Sequence, residues 1–369
     1  MIYLVMFSIS LLFILISTKT NKKLMKRISI IIGLLLPCLM AGLRSVNVGT
    51  DTGLYINTLY RSAFSFVNFK SFLEFSELRY YSKDILYLFT TFIFAKNNLS
   101  FQLLLFLYEV LIIIPIYISL RINSKTSDNV VYGMLLFYLT FYNLSLNMVR
   151  QSIAISFIIL SFSLMRNKKN LLSVVSFIIA FMFHDSAVFS IIIFIIYKLL
   201  NSNIRNGIKY FISVLLIGVF LFTLVFYKEV LLFVGTRGIY SKALLYLSKY
   251  SSFDVNYFGT LLNIYLVFEF FIHQKRLDKL NENNIFVITL SVINLIIMFM
   301  GTFISHAQRI GYYSFFLLLI TYLPYINDKQ KGKLKIHNYL LIVLFIVYWF
   351  VVIYINNSNE TLPYVIAYI

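Results

Sequence analysis

With 369 residues, 60% of them hydrophobic, only 12% charged and a mean hydropathy of +0.85, the chain is not a soluble globular domain, in which about a quarter of residues carry charge. Apolar runs of about 20 residues recur along it, and the fold class that follows is an all-α polytopic membrane protein whose solvent is the bilayer. The net charge of +18 does not signal nucleic acid, because Lys and Arg sit in short loops between the runs as the positive-inside rule expects, and the single cysteine, Cys38, excludes a disulfide framework or a cysteine-rich metal site.

Met1–Ser17 is the first predicted span. Its basic residues follow rather than precede it (Lys19, Lys22, Lys23, Lys26, Arg27), which predicts a retained helix with an outer N-terminus and not a cleaved signal peptide. Ile28–Leu43 returns outward and ends in Gly42–Tyr55, GLRSVNVGTDTGLY. Arg44, turn glycine Gly49, Thr50 and Asp51 give that stretch more polar chemistry than a plain membrane exit needs. The outer segment 44–84 is too polar to span, and its aromatics (Phe64, Phe66, Phe69, Phe72, Phe75) predict an amphipathic helix on the membrane surface. Ile85–Ala95 is apolar but short, so it reads as re-entrant or interfacial. Phe101–Leu120 spans and contains Glu109 and Pro115, with a kink expected near Leu111.

Val130–Asn147 and Gln151–Met165 form a pair whose outer corner holds Asn147, Arg150 and Gln151. The apolar run 171–200 is too long for one span and carries His184 and Asp185 at its middle, which predicts two short helices meeting at the outer face. Ile208–Phe226 leads to a second long outer segment, 227–256, with Arg237 between Gly235 and Gly238. Tyr257–Ile272, Ile285–Ile304, Ile310–Ile326 and Asn338–Ile355 complete the spans, and the corner before Ile310 holds His306 and Arg309. The sum is about twelve spans in one integral membrane domain, 1–369, with both termini outside. Of the 32 Lys and Arg, 20 fall in the predicted inner loops, which fixes the orientation.

In that orientation Arg44, Asp51, Arg150, His184, Asp185, Arg237, His306 and Arg309 all lie at the outer face. Ionisable groups near the bilayer are expensive and mark function. Arginines present planar donors suited to phosphate or pyrophosphate oxygens, so the expected partner is a lipid-linked anion. Glu109, mid-span, is expected to face the bundle interior. No HExxH, Walker-type glycine loop or GxSxG motif occurs, and four scattered histidines do not suggest a zinc site.

Four stretches in order, GLRSVNVGTDTGLY, NMVRQSIA, FHDSA and RIGYY, resemble the EpsG/Wzy-type family of bacterial polysaccharide polymerases over nearly the whole chain. The resemblance implies a GT-C-like glycosyltransferase of the inner membrane. It would join undecaprenyl-pyrophosphate-linked oligosaccharide repeat units on the outer side, into O-antigen, capsule or exopolysaccharide, without an essential metal or cofactor. It also implies a length-control protein as a partner. Within it, Arg150 and Arg309 are expected to hold pyrophosphate, and Asp51 and His184 to position or deprotonate the acceptor. Arg44, Thr50, Asn147, Gln151, Asp185, Arg237, Tyr312 and Tyr313 are the expected substrate contacts around them. The rival readings are a flippase for lipid-linked sugar, which should carry its charges through the midplane, and an O-antigen ligase or sugar O-acyltransferase.

Overall fold

The computed structural model describes residues 1–80, 84–124, 126–202, 257–272, 284–300, 307–326 and 333–367, with isolated positions between 204 and 229. Among these the chain is helical, and the one β-bridge joins Arg44 to Ile366. Five helical stretches are long and apolar enough to cross a membrane: Ile2–Lys19, Lys23–Leu43, Phe101–Asn123, Asp128–Asn147 and Val149–Arg166. Five shorter apolar helices, including Ile85–Lys96 and Asn170–Phe183, accompany them. Twelve spans are therefore more than the described helices reach by length. Ile85–Lys96, at 12 residues, rises only about 18 Å, in keeping with its reading as a non-spanning element.

The described chain divides into two compact units, Met1–Ala187 with Leu319–Ile369, and Val188–Leu318. In the first, α1 (Ile2–Lys19) pairs with α2 (Lys23–Leu43), and α2 with α6 (Phe101–Asn123). Gly42 permits the second pairing, because a Cβ there would stand 2.9 Å from Phe106 Cβ; small residues at such crossings let backbones approach closely. After α2, a π-helical turn (Thr52–Asn57) leads into α3 (Thr58–Ala63), then α4 (Phe69–Tyr80) and α5 (Ile85–Lys96). The aromatics of this segment do not simply lie on a surface. Phe69 and Phe72 pack on Phe89 and Phe92 of α5, and Phe72 is fully buried. Ser100 caps α6 by accepting from the Leu103 N–H, a standard use of serine at an N-terminus.

Next come α7 (Ser127–Phe137), a π turn (Tyr138–Tyr142) and α8 (Asn143–Asn147). Then α9 (Val149–Arg166), the most enclosed helix of the unit, lies against α6 on one side and α10 (Asn170–Phe183) on the other. Three buried serine hydroxyls of α9 serve these crossings. Ser156 and Ser163 donate back to the Ser152 and Ile159 carbonyls, while Ser161 donates to the Ser173 carbonyl on α10 at 2.8 Å. Small hydroxyl side chains that bond along their own helix or across to its neighbour leave little bulk at the crossing.

At His184 the backbone turns extended (φ −160°, ψ 124°), and a 3-10 turn, Asp185–Ser190, precedes α11 (Ile191–Leu200). The break predicted within 171–200 is therefore present, at His184. The second unit contains α11, α12 (Tyr257–Ile272), α13 (Asn284–Met300) and most of α14 (Ala307–Thr321). Its core holds a polar knot in which Asn294 donates to Asn263 and Ser314 donates to Asn294 at 2.7 Å. Within the first unit, α15 (Leu323–Ile326) and α16 (Lys333–Tyr348) follow, α16 running on as a π turn to Ile355.

Candidate functional site

The Gly42–Tyr55 stretch is held from two directions. The C-terminal segment passes alongside it: the Ser45 N–H donates to the Val365 carbonyl at 2.8 Å, Ala367 N–H to Leu43 at 2.9 Å, and Gly49 N–H to Glu360 at 2.8 Å. The Thr50 hydroxyl donates to the Glu360 carboxylate, and Tyr364 to the Met40 carbonyl. From the other side, the Asp51 N–H donates to Asn147 Oδ1 at 3.0 Å and the Thr52 hydroxyl to the Leu146 carbonyl at 3.2 Å. Gly49 is required here. Its φ is +83°, and a Cβ would meet the Leu146 carbonyl at 2.9 Å.

Arg44 departs from the donor expected at a surface. It is 1% exposed, and its guanidinium donates to the carbonyls of Ala41 (2.7 Å) and Leu146 (3.2 Å) and to Thr52 Oγ1 (3.4 Å). Buried Glu109, which accepts from Ser145 at 3.0 Å, lies within electrostatic reach of it. A charge this deep must be paired and hydrogen-bonded. Arg44 thus ties α2, α8 and the loop together. Glu109 faces the bundle interior as expected.

The polar centre of the first unit is Arg150, Asp84 and His184. Arg150 Nη1 donates to Asp84 Oδ2 at 2.7 Å, and the other oxygen of that carboxylate lies 3.6 Å from His184 Nδ1. Asp185 Oδ1 lies 3.7 Å from the same nitrogen. The guanidinium also stands over the rings of Tyr87 (5.4 Å) and Tyr55 (5.8 Å), cation–π contacts that fix its plane. Asp51 is within electrostatic range of Arg150. Asp84 is buried, with its side chain 2% exposed, whereas Arg150 and His184 keep 24% and 23%. The carboxylate is therefore the inner member, and the arginine and imidazole both reach outward from it.

Four segments bring these groups together. The π turn after Asp51 carries Tyr55, the start of α5 carries Asp84 and Tyr87, the first turn of α9 carries Arg150, and the break after α10 carries His184. Of the predicted residues, Asp51, Arg150, His184 and Asp185 gather here. Thr50 and Asn147 are engaged in holding the loop, and Gln151 is buried at 4% exposure. In the second unit, Arg309 is exposed on α14, the Tyr312 ring lies tilted against that of Phe316 at 5.8 Å, and Tyr313 lines an apolar crevice with Ile193, Ile293 and Ile297. Arg237, His306 and nearly all of 227–256 lie outside the described residues.

Asp84 and Tyr87 are site residues that the sequence reading misses. Asp84 is the N-cap of α5, a common place for aspartate, so it reads as local. Its side chain makes no cap hydrogen bond and turns to Arg150, 66 positions away. Tyr87 looks like one aromatic among many, yet its hydroxyl is buried without a hydrogen-bond partner beside the guanidinium. No local pattern signals either role.

Asp84, His184 and Asp185 present ligand atoms within 4.8 Å of one another, close enough to share a cation. The Arg150 guanidinium on Asp84 already supplies a fixed positive charge there, which opposes a second one. What the arrangement offers directly is an anion-binding arginine beside an imidazole, both braced by one carboxylate.

A family model described as the EpsG family matches residues 27–366. No curated protein and no solved structure matches the chain.

Proposed function

The chain belongs to the EpsG family, and from that premise we propose that it is a polysaccharide polymerase, a membrane glycosyltransferase that joins lipid-linked oligosaccharide repeat units. The donor in this reading is a growing chain on undecaprenyl pyrophosphate, and the acceptor is the terminal sugar of an incoming lipid-linked unit. The reaction takes place at the outer face of the bacterial inner membrane. The acceptor hydroxyl oxygen bonds to the anomeric carbon of the growing chain as the carbon–oxygen bond to pyrophosphate breaks. The electron pair leaves with the lipid pyrophosphate, and the hydroxyl proton passes to a base. The product is an O-antigen, capsule or exopolysaccharide, and a length-control protein is the partner we assign.

One observation carries the reading: Arg150 and His184 stand on either side of a single buried carboxylate. A preorganised guanidinium stabilises the charge that develops on departing pyrophosphate, and a neighbouring imidazole accepts the proton of the attacking hydroxyl. We assign Arg309 as a second pyrophosphate ligand and Asp51 as an acceptor-positioning group. Charge stabilisation falls to arginine in this scheme and not to a metal ion.

The test is incubation of the purified protein with its lipid-linked repeat unit and mass analysis of the products. A ladder of lipid-linked oligomers with release of free lipid pyrophosphate is expected; recovery of unreacted repeat unit alone rejects the reading. Deletion in the cell separates polymerase from flippase. Loss of polymerisation leaves single repeat units on the surface, and loss of flipping leaves none.

A further inference from the structure

We infer that Asp84 is the positioning residue that couples the two halves of the site, orienting the His184 imidazole through one oxygen and the Arg150 guanidinium through the other. The inference rests on the polymerase reading and adds a residue to it.

The two oxygens of Asp84 face different partners, Oδ2 toward Arg150 at 2.7 Å and Oδ1 toward His184 Nδ1 at 3.6 Å. The short contact is a charge-assisted hydrogen bond. The longer one exceeds hydrogen-bond length, as catalytic contacts often do before substrate is bound. His184 Nδ1 is itself buried without a hydrogen-bond partner, and carboxylate oxygens of Asp84 and Asp185 lie 3.6 Å and 3.7 Å from it. A neutral imidazole has one N–H and one acceptor nitrogen. Two carboxylates facing Nδ1 place the hydrogen there and leave Nε2 as the acceptor for the hydroxyl proton. When that proton arrives, the same carboxylates stabilise the imidazolium.

Burial gives Asp84 this role more than Asp185. Its side chain is 2% exposed against 41% for Asp185, so it is fixed while its neighbour is screened by water. The Asp84 carboxylate makes no cap hydrogen bond to the helix that it begins. A carboxylate with a purely structural role at an N-cap accepts from its own backbone N–H groups. This one faces instead the two groups that the polymerase reading puts at the reacting atoms.

The experiment compares wild type, Asp84→Asn and Asp84→Glu as purified full-length protein, with the maximal rate and apparent KM of polymer formation from the lipid-linked unit and the melting temperature measured for each. Removing a buried orienting carboxylate should lower the maximal rate by about 10² to 10⁴-fold, the usual span of general acid–base assistance, with a smaller change in apparent KM. Asp84→Glu keeps the charge and should recover part of that rate, with an apparent KM near that of wild type. A wild-type rate in Asp84→Asn, or a raised apparent KM with the maximal rate kept, overturns the inference. If Asp84→Asn does not accumulate, Asp84→Glu decides: a maximal rate lowered several-fold at an unchanged melting temperature supports the role of Asp84, and a wild-type rate overturns it. Failure of the wild-type protein to make any polymer rejects the function reading, whereas polymer made equally by wild type and Asp84→Asn rejects only the role of Asp84.

Discussion

Charged side chains in this protein divide into those that brace and those that present. Arg44 and Arg150 are both arginines at helix ends, but Arg44 directs its donors to two backbone carbonyls and a threonine inside the bundle. Arg150 spends one donor on Asp84 and remains a quarter exposed. Removing Arg150 leaves a buried carboxylate without its counter-charge. Arg150→Ala should therefore destabilise the fold by about 3 kcal/mol, the lower end for breaking a buried pair because one partner is partly solvated. Thermal unfolding in detergent measures this, and the double variant Arg150→Ala with Asp84→Asn should regain much of the loss. At Gly49, alanine would meet both a positive φ and the Leu146 carbonyl. Gly49→Ala should lower stability by about 1–3 kcal/mol and speed proteolysis within 44–51. Tyr87→Phe removes a buried hydroxyl that has no partner, so its melting temperature should hold or rise, even where its polymer yield falls.

Helices here approach one another through small residues rather than through bulk. Gly42 against Phe106 and Gln102, and Gly33 against Ser10 and Ile14, set the α2–α6 and α1–α2 crossings. Water does not drive helices together within lipid, so close contact and side-chain hydrogen bonds decide the association. Gly42→Leu should push α2 off α6 and lower stability by about 1–3 kcal/mol, again read by thermal unfolding. Its effect should extend to activity, because α2 ends in the loop that carries Asp51. The short helices matter for a different reason. Neither α5 nor α10 is long enough to count as a span, and each begins or ends at a site residue, Asp84 or His184. Helices that end early can bring polar side chains such as Asp84 into the packed interior, where a full span would carry apolar ones.

Over the whole molecule, loop charge predicts sidedness. Reporter fusions in the basic loops at 20–22 and 166–170 should report the cytoplasmic side, and fusions near residues 47 and 98 the outer side; the reverse pattern would remove the outer-face reading of the site. The same hydropathy and charge patterns make the helices legible in the sequence, because the bilayer demands that each segment satisfy its own backbone hydrogen bonds. The interruption at His184 is legible too, since polar residues in the middle of a long apolar run have no reason to stay in one straight span. Tertiary structure alone decided where isolated polar groups go. It turned Asp84 from its own helix to Arg150, buried Arg44 as a brace, and laid the C-terminal segment along Gly42–Tyr55 from more than 300 positions away. Periodicity records which face of a helix is apolar, but the partner of a single charged side chain depends on which helices become neighbours, and that is fixed only when the bundle packs.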